Sequence, residues 1–280
     1  MSDLFHYREQ KSAHRRGAYF SCSEALQMSA YAVSDVHGCF DELQIALELA
    51  EFSQDDHLFV LGDLIDRGPK IGACIKWLVD MGANEEGSHV HLLLGNHEEL
   101  ALWAFTGRWS DFDFDKVKLN PWLRNGGGET LAQMRDLPAG TLDAFERIVR
   151  RAEKAKAIRV SGKVVLMCHA GIRPAEPESE EAEWLIQSPD DLLWIGNEWY
   201  CAAEQPPFHV VSGHVPVYAL ASKATIPGCP QEVVDEGNSW HMMHWGYKHD
   251  IDCGCVYGGR LGVLRLQDWE EFYAKSHAVR

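Results

Sequence analysis

The sequence of 280 residues contains no long hydrophobic run, and this absence limits where the protein can work. A helix that crosses a membrane needs about 20 predominantly apolar residues in succession. The sequence has no such stretch, and its N-terminus lacks the short apolar core of a secretion signal. We therefore expect a cytoplasmic protein that is not exported and has no membrane partner.

Positive charge is also scarce, because 26 lysine and arginine residues stand against 42 aspartate and glutamate residues. A protein that binds nucleic acid through its phosphates needs a basic surface, so the composition predicts no nucleic-acid partner. The overall negative field also repels smaller phosphate compounds. A phosphate-bearing ligand must therefore be attracted locally, and bound cations would supply that attraction.

The eight cysteines lack the dense spacing of small secreted proteins held together by disulfides, and we interpret them as reduced thiols. Sequence repeats and low-complexity tracts are absent. A hydrophobic content of 46% over this length is enough for one large core. We predict an N-terminal extension of unknown role at residues 1–29 and a single domain over residues 30–280, with an aromatic-rich insertion at about 103–156.

Short apolar runs that end in polar, glycine-containing turns predict buried strands. Five such runs lie at residues 31–33, 58–61, 90–94, 164–167 and 210–211, and a closing strand is predicted at 261–266. Apolar residues at helical spacing separate them, as in the stripe from Leu43 to Ala50. The turn at Ser161 and Gly162 predicts a hairpin. Strands that alternate with helices predict an α/β fold with mixed sheets.

Residue types that bind metal ions follow each of the first five predicted strands. In open α/β sheets, ligands bind beyond the carboxyl ends of the strands, so clusters that are distant in sequence can converge there. A purely structural explanation would require five coincidences at equivalent positions. The clusters are Asp35 and His37, then Asp63, Asp66 and Arg67, then Asn96 and His97, then His169, and finally His214.

In this order the clusters resemble the motifs of the calcineurin-like metallophosphoesterases, and most closely the phosphoprotein phosphatase branch with its bacterial serine/threonine phosphatase-like members. The shared motifs are Asp-x-His-Gly, Gly-Asp-x-x-Asp-Arg-Gly, Gly-Asn-His-Glu, His-Ala-Gly and Gly-His. The resemblance covers residues 31–266. It implies an αββα sandwich, in which two mixed sheets are flanked by helices.

The resemblance also implies a dinuclear metal centre in which Asp63 bridges the two ions. Oxygen and nitrogen ligands without thiolate suit manganese, iron or zinc, and manganese is the expectation from the family. Two ions would lower the pKa of a shared water from about 15.7 towards about 7 and so supply a bridging hydroxide for in-line attack on phosphorus. The implied ligands are Asp35, His37 and Asp63 for one ion, and Asp63, Asn96, His169 and His214 for the other.

Further roles follow from the same resemblance. His97 would be the general acid, and Asp66 would orient it through a hydrogen bond. Arg67 and Asn96 would bind the phosphate, and Asp252 would support the site from behind.

The sequence departs from the family where a second phosphate-binding arginine usually follows a Leu-Trp segment. Here Leu193 and Trp194 are followed by Ile195 and no arginine, so that Arg173 or Arg260 would have to substitute. The histidine-rich tract at residues 240–249 is interpreted as a loop at the rim of the site rather than as an extra metal site.

We therefore expect a dinuclear metallophosphatase that hydrolyses phosphomonoesters, and phosphoserine or phosphothreonine in proteins is the expected substrate. Asp66 and Glu98 favour this choice, because relatives that cleave diadenosine tetraphosphate typically differ at both positions. Hydrolysis of dinucleoside polyphosphates is the alternative, in which the aromatic segment 103–122 could stack a nucleobase. A third hypothesis, an inactive homologue that serves as a binding module, is disfavoured because all six metal ligands and His97 are retained.

Overall fold

The computed structural model describes residues 28–175, 180–220 and 240–277, and the strands in these ranges form two mixed sheets of five strands each. In chain order the strands are β1 (Ala30–Val33), β2 (His57–Val60), β3 (Val90–Leu92), β4 (Ala155–Val160), β5 (Lys163–Cys168), β6 (His209–Ser212), β7 (Met243–Trp245), β8 (Lys248–Asp250), β9 (Arg260–Arg265) and β10 (Glu270–Lys275). The first sheet has the order β10-β9-β1-β2-β3, and the second has the order β4-β5-β6-β8-β7.

Each sheet has three parallel strands that carry the predicted site. In the first sheet β1, β2 and β3 run parallel, and in the second β5, β6 and β8 do. The flanking strands β9, β10, β4 and β7 pair antiparallel with their neighbours. The parallel strands therefore present three carboxyl ends at one edge of each sheet, where the polar clusters follow.

Helices lie between the strands. Those of the first half are α1 (Phe40–Leu49), α2 (Ile71–Asp80), α3 (Asn96–Ala104), α4 (Lys116–Trp122), α5 (Gly128–Met134) and α6 (Ala139–Arg151). A π-turn at Leu123–Gly127 joins α4 to α5. Shorter helices accompany the second sheet, namely α7 (Glu181–Trp184), α8 (Pro189–Trp194), α9 (Asn197–Tyr200) and α10 (Val217–Leu220). No helix in the described ranges combines the length and hydrophobicity needed to cross a membrane.

The alternation of side chains along β1 shows how the layers form. Ala30 and Ala32 belong to the core between the two sheets, together with Val165 of β5. Tyr31 and Val33 face the opposite way and pack in the core between the first sheet and its helices. A third core covers the outer face of the second sheet. Because successive strand residues point to opposite faces, these apolar strands bury both sides, and the predicted αββα sandwich is confirmed.

The histidine-rich tract differs from its prediction. Residues 243–250 form the β7–β8 hairpin at the edge of the second sheet, and not a loop. The strand Lys248–Asp250 is buried although all three of its residues are polar, so no apolar run marked it in the sequence. His249 lies in hydrogen-bonding range of His209 and His244, at 2.9 and 2.7 Å.

The predicted insertion packs into the main core. Trp109 and Trp122 are fully buried and share a core with the helices on the first sheet. Of the predicted N-terminal extension, only residues 28 and 29 lie within the described ranges.

Candidate metal centre

The backbone around the predicted site is unusual, because six of its non-glycine residues have positive φ. A left-handed conformation costs of order 1–3 kcal/mol for such a residue and persists only where the surroundings fix it. These loops are therefore shaped to place side chains rather than to maximise stability. The φ values are 51° for Asp35, 42° for His37, 53° for Asp63, 72° for Asp66, 69° for Arg67 and 73° for His214.

Close backbone contact brings the loops after β2 and β3 together. Gly62 has a φ of 86°, and a Cβ atom at this position would lie 2.4 Å from the backbone nitrogen and Cα of Gly95. Only glycine fits such an approach. The contact sets Asp63, which follows Gly62, beside Asn96, which follows Gly95.

Asp63 lies at the centre of the cluster. Its Oδ2 atom is 3.5 Å from His37 Nε2 and 3.6 Å from His97 Nε2, and its Oδ1 atom is 3.5 Å from His169 Nε2. Asp35 is close as well, with Oδ1 4.0 Å from His37 Nε2. A single carboxylate thus contacts ring nitrogens from both sheets.

Acceptor atoms converge on the Asn96 amide. When its nitrogen donates, it lies 2.7 Å from His169 Nε2, 3.1 and 3.2 Å from the two Asp63 oxygens and 3.3 Å from His214 Nδ1. Two amide hydrogens cannot satisfy four acceptors of this kind. A divalent cation can bind several such lone pairs at once, with the amide turned to offer its oxygen, so the donor set fits a metal ion of the kind that the family binds.

The imidazoles are oriented with one nitrogen free for the centre. His37 Nδ1 donates to the carbonyl oxygen of Ile65 at 2.7 Å, and His169 Nδ1 donates to that of Leu61 at 2.9 Å. Each hydrogen bond fixes the tautomer, so that the Nε2 lone pair points inward. This is the arrangement that metal-binding histidines normally have.

Burial shapes the electrostatics of the cluster. Loss of solvent raises the pKa of Asp63 well above its ordinary value, and the nearby carboxylates of Asp35 and Glu98 raise it further. Burial likewise lowers the pKa values of His37 and His169. The imidazoles are therefore neutral, as metal ligation requires, and a bound cation would relieve the repulsion between the buried carboxylates.

Within this cluster, two sets of three side chains have ligand atoms that all lie within 4.8 Å of one another. One set is Asp63, His169 and His214, which are three of the four ligands predicted from the sequence for the second ion. The other is His37, Asp63 and His97, in which His97 stands where the sequence predicted Asp35. The structure thus brings all six predicted ligands into one cluster, and which of them bind metal ions stays a prediction.

Asp35 anchors the loop after β6. Its Oδ2 atom accepts hydrogen bonds from the Ser34 hydroxyl and, at 2.9 Å, from the backbone nitrogen of His214. The contact joins the two sheets at the site, because Asp35 follows β1 and His214 follows β6. Tyr200 holds the same loop through a hydrogen bond of 2.5 Å from its hydroxyl to the carbonyl oxygen of Gly213.

His97 is hydrogen-bonded to Asp66, and the predicted roles of both residues stay predictions. Its Nδ1 atom lies 2.6 Å from Asp66 Oδ2, and Trp122 Nε1 and the Thr130 hydroxyl donate to the same carboxylate at 2.9 and 2.5 Å. Burial raises the pKa of Asp66, and the hydrogen bonds from Thr130 and Trp122 oppose that rise. Trp122 and Thr130 were not predicted, because nothing in the local sequence connects them with a residue more than 50 positions away.

Arg67 lies at the edge of the cluster. Its Nη1 atom contacts His37 Nε2, and its Nη2 atom lies 2.7 Å from His97 Nε2. An imidazole nitrogen that accepts a hydrogen bond cannot bind a metal ion with the same lone pair, so ligation by His37 requires the guanidinium to move. Its planar donor fork suits phosphate oxygens, as predicted for this residue.

Glu98 is a further residue whose role the sequence did not reveal. It is fully buried, and its carboxylate accepts hydrogen bonds from the backbone nitrogens of Asp63 and Leu64 at 2.8 and 2.9 Å. Glu98 therefore fixes the loop that carries Asp63. Its position directly after Asn96 and His97 was the only available signal.

The remaining predicted residues have structural contacts of their own. Asp252 Oδ1 accepts from the backbone nitrogen of Gly254 at 2.9 Å, so this carboxylate shapes the turn after β8. Arg173 forms a bidentate ion pair with Asp191, and Arg260 lies over the ring of Tyr273. These contacts give neither arginine the role of a second phosphate ligand.

Comparisons with known proteins agree on one family of phosphoesterases. The model of the calcineurin-like phosphoesterases matches residues 28–259. A symmetrical bis(5'-nucleosyl)-tetraphosphatase from Psychromonas ingrahamii is 28% identical, covering 88% of this chain and 96% of that protein. The enzyme of the same name from Salmonella paratyphi B is 26% identical, covering 89% and 95%.

Solved structures share the fold. A candidate diadenosine tetraphosphatase superposes with a TM-score of 0.56 at 19% identity, covering 92% of this chain and 98% of that chain. A cold-active protein-tyrosine phosphatase from a Shewanella species gives 0.50 at 17% identity, covering 94% and 82%. At these identities the similarity shows the fold alone.

The expected phosphoserine or phosphothreonine substrate is wrong, because the relatives that match over nearly their whole length are tetraphosphatases. The structure explains why the two residues behind that expectation were poor guides. Asp66 and Glu98 are fully buried and hydrogen-bond to His97 and to the loop of Asp63. Both carboxylates are engaged in contacts within the protein, and these contacts give neither of them a means of selecting the substrate.

Proposed function

The chain belongs to the family of calcineurin-like phosphoesterases, and from this premise we propose that it is a metal-dependent hydrolase that cleaves dinucleoside polyphosphates symmetrically. Hydrolysis of phosphoric ester bonds is the activity of the family, and the substrate is our proposal. It is supported by the similarity to symmetrical bis(5'-nucleosyl)-tetraphosphatases over 96% of the length of one of them. Such a ligand is a small phosphorylated compound.

The observation that carries the proposal is the convergence of six buried or half-buried donor side chains in one cluster, with Asp63 at its centre. Two divalent ions, for which we propose manganese, would be held by Asp35, His37, Asp63, Asn96, His169 and His214. When bound, the ions supply positive charge for the phosphate oxygens and activate the attacking water. The oxygen and nitrogen donors suit manganese, iron and zinc alike.

His97 is proposed to protonate the leaving phosphate. Its Nδ1–H is engaged by Asp66, so its Nε2 atom is the position from which a proton can be transferred. Burial lowers the pKa of His97 well below its ordinary value, and the neighbouring His37 and Arg67 lower it further. The negative charge of a bound polyphosphate acts in the opposite direction, and so favours the protonated form in the complex.

Arg67 is proposed to bind the polyphosphate chain together with Asn96. Its guanidinium already lies within hydrogen-bonding distance of His97, so an oxygen that Arg67 binds would also be close to the proposed proton donor. Asp252 would keep the turn after β8 in place beside this site. The proposed cellular compartment is the cytoplasm, because the free cysteines of the described ranges suit a reducing environment.

A direct comparison of substrates tests the proposal. Purified protein with manganese is given diadenosine tetraphosphate or a phosphoserine peptide, and nucleotide products are separated by chromatography. We expect preferential turnover of the dinucleotide, with ADP as the sole nucleotide product. Formation of ATP and AMP would contradict symmetrical cleavage, and faster turnover of the peptide would contradict the proposed substrate.

A further inference from the structure

Three aromatic side chains form a cluster beside Arg67 that has no part in the steps described so far. Tyr257 is 40% exposed, and its ring centroid lies 5.6 Å from Arg67 Cζ. Tyr218 meets Tyr257 edge to face at 6.0 Å and stacks on Trp240 at 4.3 Å. We refer to Tyr218, Trp240 and Tyr257 as the aromatic cluster.

A dinucleoside polyphosphate offers two chemically different parts to a binding site. Its phosphate chain can be bound by cations and by an arginine, but every polyphosphate has such a chain. The bases at its two ends have flat aromatic faces, which proteins commonly bind by stacking on aromatic side chains. A site that distinguishes dinucleotides from inorganic polyphosphate therefore needs an accessible ring near the phosphate-binding residues.

The buried aromatic residues of the predicted insertion cannot provide such an accessible ring. Trp109 and Trp122 have no exposed surface, and Phe105 is only 5% exposed. These three rings pack against one another, with centroids of Phe105 and Trp109 5.0 Å apart and those of Phe105 and Trp122 5.7 Å apart. A base could stack there only if the core opened.

We propose that Tyr257 binds a nucleobase of the substrate, with the base stacked on the exposed part of its ring while the phosphate chain reaches Arg67. This inference rests on the proposed function and adds to it the residue that recognises the nucleoside. Arg67 adjoins both parts of the ligand, because its guanidinium contacts His97 on one side and lies over the Tyr257 ring on the other.

The backbone around Tyr257 is fixed before any ligand binds. Tyr257 ends a 3-10 turn between Gly254 and Gly258, which have φ values of 66° and 90°, and its backbone nitrogen donates to the carbonyl oxygen of Gly254 at 3.0 Å. Trp240 packs on the same turn so closely that a Cβ atom on Gly259 would lie 2.2 Å from its ring. A ring on a turn held in this way loses little conformational entropy when a base stacks on it, and this favours affinity for the ligand.

The test compares one ligand that has bases with one that lacks them. KM is measured for diadenosine tetraphosphate, and Ki is measured for inorganic tetraphosphate as its competitor, in the wild type and in Tyr257→Ala and Tyr257→Phe. Tyr247→Ala is the matched control, because Tyr247 is 43% exposed in the turn between β7 and β8. Tyr257→Ala is expected to raise the ratio of KM to Ki on the order of ten-fold.

Tyr257→Phe keeps the ring face and should keep the wild-type ratio, as should Tyr247→Ala. An unchanged ratio in Tyr257→Ala would overturn the inference while leaving the proposed function intact. Equal weakening of both ligands would also overturn it, because the effect would then concern the phosphates or the fold. Failure of the wild type to cleave the dinucleotide at all would instead refute the proposed function.

Discussion

Asp63 shows how a single residue can combine an electrostatic cost with a proposed catalytic role. Its carboxylate is buried and lies within 3.6 Å of ring nitrogens from both sheets. Burial and the charges of Asp35 and Glu98 raise its pKa, so without cations the cluster opposes its own ionisation. Groups that are strained in this way are commonly retained because function needs them.

The Asp63→Asn variant should therefore separate activity from stability. Loss of the bridging carboxylate is expected to lower kcat by roughly 10³-fold, because metal charge supplies several kcal/mol of transition-state stabilisation. The metal-free variant should also melt at a higher temperature than the metal-free wild type, because a neutral amide replaces a buried carboxyl group whose ionisation Asp35 and Glu98 oppose. Turnover of diadenosine tetraphosphate and thermal melting in EDTA measure the two effects.

Asp41→Asn is the matched control, since Asp41 lies in the first turn of α1 and has an exposed side chain paired with Lys70. It should change kcat by no more than a few-fold. An Asp63→Asn enzyme that kept more than a tenth of wild-type activity would show that this carboxylate does not join the ions.

At the scale of secondary structure, the ends of the strands that precede the site could be predicted from the sequence. Val33 and Val60 end β1 and β2 in register with each other, and both strands were visible as apolar runs followed by polar turns. The β8 strand gave no such signal, because Lys248, His249 and Asp250 are polar yet buried. Its lysine is satisfied by donating to the carbonyl oxygens of Trp199 and Ala202, contacts that only the folded chain supplies.

The buried histidine of β8 makes stability depend on pH. Burial lowers the pKa of His249 to about 2, with smaller contributions from His244, His209 and Lys163. The unfolded chain, with an ordinary value near 6.5, therefore binds a proton below about pH 6.5 that the folded chain does not. Stability from this group is present above that pH and is lost as the pH falls towards 2.

Between pH 7 and pH 5 this histidine should lower the free energy of unfolding by about 2 kcal/mol. His249→Gln should remove that part of the pH dependence, and urea unfolding of both proteins at the two pH values measures it. Buried histidines that do not contact His249 act equally in both proteins, so the difference reports on His249 together with its neighbours His209 and His244. Parallel pH dependences in the two proteins would mean that His249 has no lowered pKa in the fold.

At the scale of the whole molecule, the convergence of the six predicted ligands could be predicted from the sequence because each follows a strand end. The contacts of the supporting residues could not. Trp122 and Thr130 hydrogen-bond to Asp66, and no sequence pattern links them to the motifs. Glu98 belongs to the Gly-Asn-His-Glu motif, but its hydrogen bond to the loop of Asp63 is visible only in the fold. The motifs also could not identify the substrate, since they describe the phosphoryl chemistry that tetraphosphatases and protein phosphatases share.

The net negative charge of the molecule also indicates that cations are needed at the proposed metal centre. With 42 acidic and 26 basic residues, the protein as a whole repels polyphosphates, and the attraction must come from Arg67 and bound cations. Metal binding should accordingly stabilise the fold, by about 2.7 kcal/mol for each site at a hundred-fold excess over its dissociation constant.

The most direct measurement is a titration of metal-free protein with manganese while the cleavage of diadenosine tetraphosphate is followed. We expect no turnover without metal and a rise in activity that levels off at two manganese ions per chain. Full activity in the metal-free protein, or a plateau at one ion per chain, would contradict a two-metal centre.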